Sequence, residues 1–436
     1  MRIELEWLPP FDEDSPEGLT FSAFKLIVGD SIVTEVEDSL AQTLRDDILV
    51  SVYPLARFIT ENWWRLRWEP VPARIDPAWR LRHCLSAVGD GYSWPNLEFA
   101  SDGEAIHIQL CSGSASRTAP IRYVNNLNEW VAAEEFECAI DRFLEAVAGR
   151  LDTMQHPETD LDALLGDLRA ERNDSEVARW RRLEAIAGYD PDEAPEAFIR
   201  DLLAESDSIG WPSIQELAAA SRQRALQDLT SLREELTQRG TSFQVADLPR
   251  LHDAVKGDVG NRALPPWSRA SAAARAARKI FGLNGEVVTN PRLAELFSVP
   301  EQLFQTGDPA NVPYSASFHC DEQRQNRLGI NKRLSTSRRF AVCRLLGDRL
   351  CSDLETTPLS TATDAATARQ KFQRAFAQEL LCPFDTLMNV LGSDAPTDDE
   401  IDIAAEHFQV SPLLVRTTLV NRHILPRDTL ADGYLA

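Results

Sequence analysis

Histidine and cysteine are the side chains best able to hold a metal or form a covalent intermediate, and this 436-residue chain carries seven of each. In its last third His319 and Cys320 sit side by side, with Cys343, Cys351, Cys382 and His407 further on. Neighbours on a strand point to opposite faces, so His319 and Cys320 make poor co-ligands, and the other spacings follow no zinc rule. Together with Cys84, Cys111 and Cys138 the cysteines form no CxxC pair, and they read as reduced thiols. A phosphate-binding glycine loop, a dinucleotide fingerprint and a nucleophile elbow are all missing. What remains is charge. Arg344 and Asp348 lie four apart, on one face of a helix, where they can pair with each other. Upstream of them Arg324, Arg327, Lys332, Arg333, Arg338 and Arg339 form a basic stretch. It can face an acidic partner, the chain's own acidic helices, or nucleic acid, although Phe340 is its one aromatic residue for stacking on bases.

The elements that would position these residues follow from periodicity. Ile3 to Trp7, Phe21 to Val28, Ile32 to Val36, Asn96 to Phe99 and Ala105 to Leu110 favour strands, while Leu55 to Trp68 and Leu127 to Leu151 have helical spacing. An α+β domain is expected over residues 1–155. Its dense tryptophans, among them Trp63, Trp64, Trp79 and Trp94, can line a pocket, but core packing is their commoner role. Over 156–260 the pattern is helical and strongly charged. Asp160 to Arg172 and Glu176 to Ala187 are helices, and a capping box at Ser213 and Glu216 predicts a long helix to about Arg239. Pro265 and Pro266 mark the entry to a last domain, 261–436.

The net charge of -23 and pI near 4.8 argue against nucleic-acid binding through the acidic body of the protein, leaving only the basic stretch for such contact. No apolar run of about 18 residues is present, and MRIELEWLPPFDEDSPEG lacks the features of a secretory signal, so no membrane contact and a cytoplasmic location are expected.

Four segments of the last domain carry a family resemblance. They are Ala272 to Gly282, Ile330-Asn331 followed by Arg338-Arg339-Phe340, Ala375 to Pro383 (AFAQELLCP), and Ile401 to Leu425 with its Ala404 to Ser411 core (AAEHFQVS). In this order they resemble the ImmA/IrrE family of bacterial metallopeptidase-like proteins, which implies a zincin-like C-terminal domain. Active members carry HExxH on the helix after R-R-F, where two imidazoles grip zinc and the glutamate activates water. The positions corresponding to that motif hold Arg344, Leu345 and Asp348 here. The third ligand position falls at Gln370. Arginine has no lone pair to donate and leucine cannot take a proton, so the resemblance implies a member without metal, cofactor or catalysis. The expected function is then regulatory or scaffolding binding of a protein partner, in a bacterial stress, mobile-element or anti-phage defence system. The former active-site cleft at Arg344, Asp348 and Gln370 is the expected binding surface. The alternative is an active metallopeptidase with atypical ligands that cleaves a repressor-type regulator. Finally, Thr397 and Glu400 form a capping box before a segment that imitates a helix-turn-helix. The Leu413-Leu414-Val415 run in its second helix suits packing better than reading bases.

Overall fold

The computed structural model describes residues 1–110, 120–156, 159–283, 285–320, 325–351 and 357–430. The chain is a mixed α+β protein of two compact units, residues 1–200 with 365–367, and residues 201–364 with 368 onward. Among the described residues no helix is long and apolar enough to cross a membrane.

In the first unit Arg2–Trp7 pairs antiparallel with Phe21–Val28, which also pairs with Ile48–Ser51. Phe21–Val28 buries every second residue, as a sheet with one face on the core requires. A second sheet joins Leu97–Ser101, Ala105–Leu110 and Leu127–Ala132. The helices Tyr53–Trp68 and Ala133–Thr153 fill the core with Trp63, Trp64, Phe136, Phe143 and Val147 against Phe24 and Leu26. The tryptophans Trp63, Trp64, Trp79 and Trp94 are buried, in keeping with a packing role.

Leu127 to Ala132 is a strand, not the start of the following helix, because it pairs in full with Ala105–Leu110 and leaves Trp130 partly exposed. The helices of 156–260 divide between the two cores. Asp160–Asn173 buries Leu161, Leu165 and Leu168 in the first core, whereas Leu248–Gly260 buries Leu251 and Val255 in the second.

The second unit has a four-stranded antiparallel sheet in the order Thr241–Phe243, Gln325–Gly329, Ser315–Cys320, Leu359–Ala362. The helices Ser335–Cys351 and Ala368–Leu381 run through its core. The long helix expected from Ser213 is broken into Trp211–Ser221 and Ala225–Arg239, with Arg222 turning the chain at a φ of +48°. Ser213 does not cap it. Its hydroxyl donates to the Leu359 carbonyl at 2.6 Å, and Glu216 is buried.

The two core helices touch closely at Gly347, where an added Cβ would lie 2.9 Å from Cγ and Cδ1 of Phe376. In an open helix Gly→Ala gains roughly 0.5–1 kcal/mol. Here the clash involves the root of a buried ring that cannot swing aside, so Gly347→Ala is expected to lower stability by about 1–3 kcal/mol in urea unfolding. Unchanged or higher stability would show that the helices can separate at no cost.

Candidate functional site

The residues singled out on the Ser335–Cys351 helix point inward. Arg344 is 5 % exposed, and Asp348 and Gln370 are 0 %. Arg344 and Gln370 meet, with Nη2 of Arg344 donating to Oε1 of Gln370 at 2.6 Å and also to the Thr363 carbonyl. The Gln370 amide Nε2 donates to Glu216 Oε2 at 2.8 Å and to the Thr361 carbonyl at 2.9 Å. One turn along, both oxygens of Asp348 accept from Arg369, each at 2.6 Å, and Oδ1 accepts from Gln373 Nε2 at 2.9 Å.

These side chains also close a sheet edge. Leu359–Ala362 is the last strand of its sheet, and its outward carbonyl at Thr361 takes both Gln370 and Gln373, the latter at 3.0 Å. The Thr363 N–H donates to Gln370 Oε1 at 3.1 Å, and Ser213 covers the Leu359 carbonyl. A carboxamide that accepts from one backbone N–H and donates to a carbonyl two residues away stands where a neighbouring strand's peptide group would. The edge is therefore capped by side chains and closed to a further strand.

The electrostatics follow from burial. Burial pulls the Arg344 guanidinium down to about 9, with Arg374 adding to the effect, so it stays charged at neutral pH. Arg349 is lowered by burial to about 10 and holds the carbonyls of Thr357 at 3.1 Å and Pro358 at 2.9 Å. Burial pushes the Asp348 carboxyl up, but the charge and hydrogen bonds of Arg369 outweigh it and hold it below the usual carboxylate range. Cys343 and Cys382 are pushed up to about 12 by burial, which makes them poor nucleophiles and poor metal ligands.

This donor set does not fit zinc. Both Asp348 oxygens are taken by a guanidinium, and Arg344 has no lone pair to offer. Among the described residues no group of three or more His, Cys, Asp or Glu side chains is placed to hold a metal ion.

Several expectations need correction. Arg344 and Asp348 do not pair with each other, because Arg369, on the facing helix, reaches Asp348 with both arms of its guanidinium. Nor do Arg344, Asp348 and Gln370 present a binding surface, since a partner cannot touch side chains sealed from solvent. The basic stretch is not one exposed patch. Arg339 is fully buried and bound to Asn290 Oδ1 at 2.6 Å, while Arg338 donates to the carbonyls of Leu303 at 2.6 Å and Lys332 at 2.9 Å. Arg327 donates to the Gly240 carbonyl at 3.2 Å. Of the rest, Lys332 is half-buried and Arg333 exposed, and Arg324 lies outside the described residues. Arg338 is held by backbone carbonyls, and Arg339 by the Asn290 and Gln409 side chains and the Val288 carbonyl. His319 sits with Nδ1 3.0 Å from Asn326 Oδ1, in a cross-strand pair.

Sequence reasoning missed Glu216, Arg349 and Arg369. The spacing of Gln370 and Gln373, three apart on one helix face, was a readable signal for a shared target; Glu216 lies 154 positions from Gln370 and gave none.

The first unit holds a second buried charge cluster. Glu69, at 0 % exposure, accepts from Arg65 Nε at 2.7 Å and lies 2.9 Å from His83 Nε2; the His83 ring stacks on Trp79 at 4.2 Å. Asp190 binds Arg65 at 2.9 Å and Arg82 at 2.6 Å. Burial pushes Glu69 up, but His83 and Arg65 outweigh it and hold the carboxyl below its ordinary range.

Comparison with known proteins gives no match for this chain among protein-family models, curated proteins or solved structures.

Proposed function

We propose that residues 261–436 are an ImmA/IrrE-like metallopeptidase domain whose metal site has become an internal polar brace. On this reading the protein acts in the bacterial cytoplasm by binding a protein partner, as a regulator or scaffold in a stress, mobile-element or anti-phage defence system. The observation that carries the proposal is the position of the brace. The motif resemblance puts two ligand positions at Arg344 and Asp348 on one helix and the third at Gln370 on the next, and these two helices face each other with the three positions within a turn of one another. Such an arrangement suits a metal site in descent but no longer in chemistry. The general-base position is filled by Leu345, which is itself buried and cannot take a proton from water. Binding then falls to surfaces outside the brace.

The test is elemental analysis of the purified full-length protein, with and without prior chelation. Zinc far below one per chain, and an unfolding curve unmoved by the chelator, are the expected results. One zinc per chain that a chelator removes would overturn the proposal in favour of an active metallopeptidase with atypical ligands. Its next assay would be cleavage of a repressor-type regulator.

A further inference from the structure

The first unit leaves open the kind of edge that the second unit closes. Among the described residues Arg2–Trp7 is an outer strand of its sheet and pairs only with Phe21–Val28. The Leu8 N–H donates to the Phe21 carbonyl, which continues the same register, so Glu6, Glu4 and Arg2 occupy the hydrogen-bonded pairs. By the alternation of an antiparallel ladder, Ile3, Leu5 and Trp7 turn their N–H and C=O groups outward. Among the described residues none of those outward groups has a partner.

The side chains along this edge are self-complementary. Arg2, Glu4 and Glu6 are exposed on the outer face, and Ile3, Leu5 and Trp7 are half-buried on the core side. Arg2 binds Glu4 at 2.8 Å, and Glu6 has no cationic partner among the described residues. Let a second copy of the strand run antiparallel along the edge, with a twofold axis at Glu4. Ile3 and the partner's Leu5 then exchange backbone hydrogen bonds, twice by symmetry. Arg2 falls opposite the partner's Glu6, also twice, in the non-hydrogen-bonded pairs where side chains lie closest. Glu4 meets its own copy, but each is flanked by an Arg2. A shift that sets Glu4 against the partner's Glu6 loses both attractions and makes like charges face twice instead of once, and the opposite shift, which sets Arg2 against the partner's Glu4, shortens the ladder and leaves Trp7 with no residue opposite it. Any extended peptide could take the backbone bonds; only a second copy supplies Arg2 to Glu6 on both sides.

We propose that this edge is the docking site for a second copy of the chain, joined through the Arg2–Trp7 strands into one continuous sheet across a twofold axis. The interface is isologous, so a single substitution acts twice. The full-length protein and its Glu6→Arg variant, each with a native circular-dichroism spectrum, are compared by light scattering and sedimentation over a concentration series. A wild-type dimer is expected. Its dissociation constant should rise on the order of tenfold or more in Glu6→Arg, where arginine faces arginine, and should recover in the double variant Arg2→Glu/Glu6→Arg. A wild-type protein that stays monomeric at its highest soluble concentration overturns the proposal. So does a dimer indifferent to Glu6→Arg, or a double variant as weak as the single one.

Discussion

Replacing Asp348 with alanine is expected to lower the unfolding free energy of the second unit by about 3–5 kcal/mol, because it strands a buried guanidinium without its counter-charge. Arg369 is 14 % exposed and spends two of its nitrogens on Asp348, with Glu216 acting on it only through its charge. Urea unfolding followed by far-UV circular dichroism measures the effect, and a loss under about 1 kcal/mol would mean that water reaches Arg369 freely. The same carboxyl shapes the acid limb. Its folded-state value lies below the ordinary unfolded value of about 3.9, so the stability it contributes is complete above that value. It is lost as pH falls through the lower, folded-state value. The Asp348→Ala variant should therefore show a flatter decline below about pH 4 than the parent protein.

The second large effect belongs to the first unit. Glu69→Ala leaves His83 Nε2 without its acceptor and Arg65 with Asp190 as its remaining counter-charge, and a loss of about 3–5 kcal/mol is expected because a buried ion pair is broken. Eight of the ten tryptophans precede residue 201, so indole emission reports mainly on this unit. An emission midpoint that matches the parent protein would show that the cluster is not needed for stability. Glu69→Gln, which keeps the shape and an acceptor oxygen, should fall between the two.

Local signals in the sequence were reliable where the structure they encode is local. Thr397 and Glu400 form the expected capping box, with reciprocal bonds between the side chains and backbone. The AFAQELLCP segment ends its helix at Leu381, just before Pro383, as proline chemistry requires. The strands Arg2–Trp7, Phe21–Val28 and Ala105–Leu110 follow their alternating patterns. Legibility fails where the partner is distant. The Ser213 and Glu216 spacing looks like a helix start, yet both side chains are committed to residues far along the chain, Leu359 and Gln370. Leu127 to Ala132 has helical spacing, but the pairing available with Ala105–Leu110 decides its conformation. The basic stretch reads as a surface patch because nothing in its spacing reveals the carbonyls that receive Arg338 and Arg339 inside the unit. At the candidate site the sequence set Arg344 and Asp348 on one helix, and both lie on Ser335–Cys351. It could not show that they are buried, or that Arg369 would claim Asp348 first.

The brace also constrains the order in which the second unit can form. Ser213 and Glu216 find their partners only 146 and 154 residues later in the chain. A growing polypeptide thus makes the Trp211–Ser221 helix long before the strand and the helix that receive it exist. Until then Glu216 remains in water, where a carboxylate is at no disadvantage, and the helix has little reason to dock. Closing a loop of that length carries its entropic cost before any contact rewards it, so assembly of this unit is a late, cooperative step rather than a progressive one. The side chains that bar a foreign strand from the Leu359–Ala362 edge arrive from both ends of that loop. The edge is therefore exposed, and open to mispairing, for as long as the loop stays open.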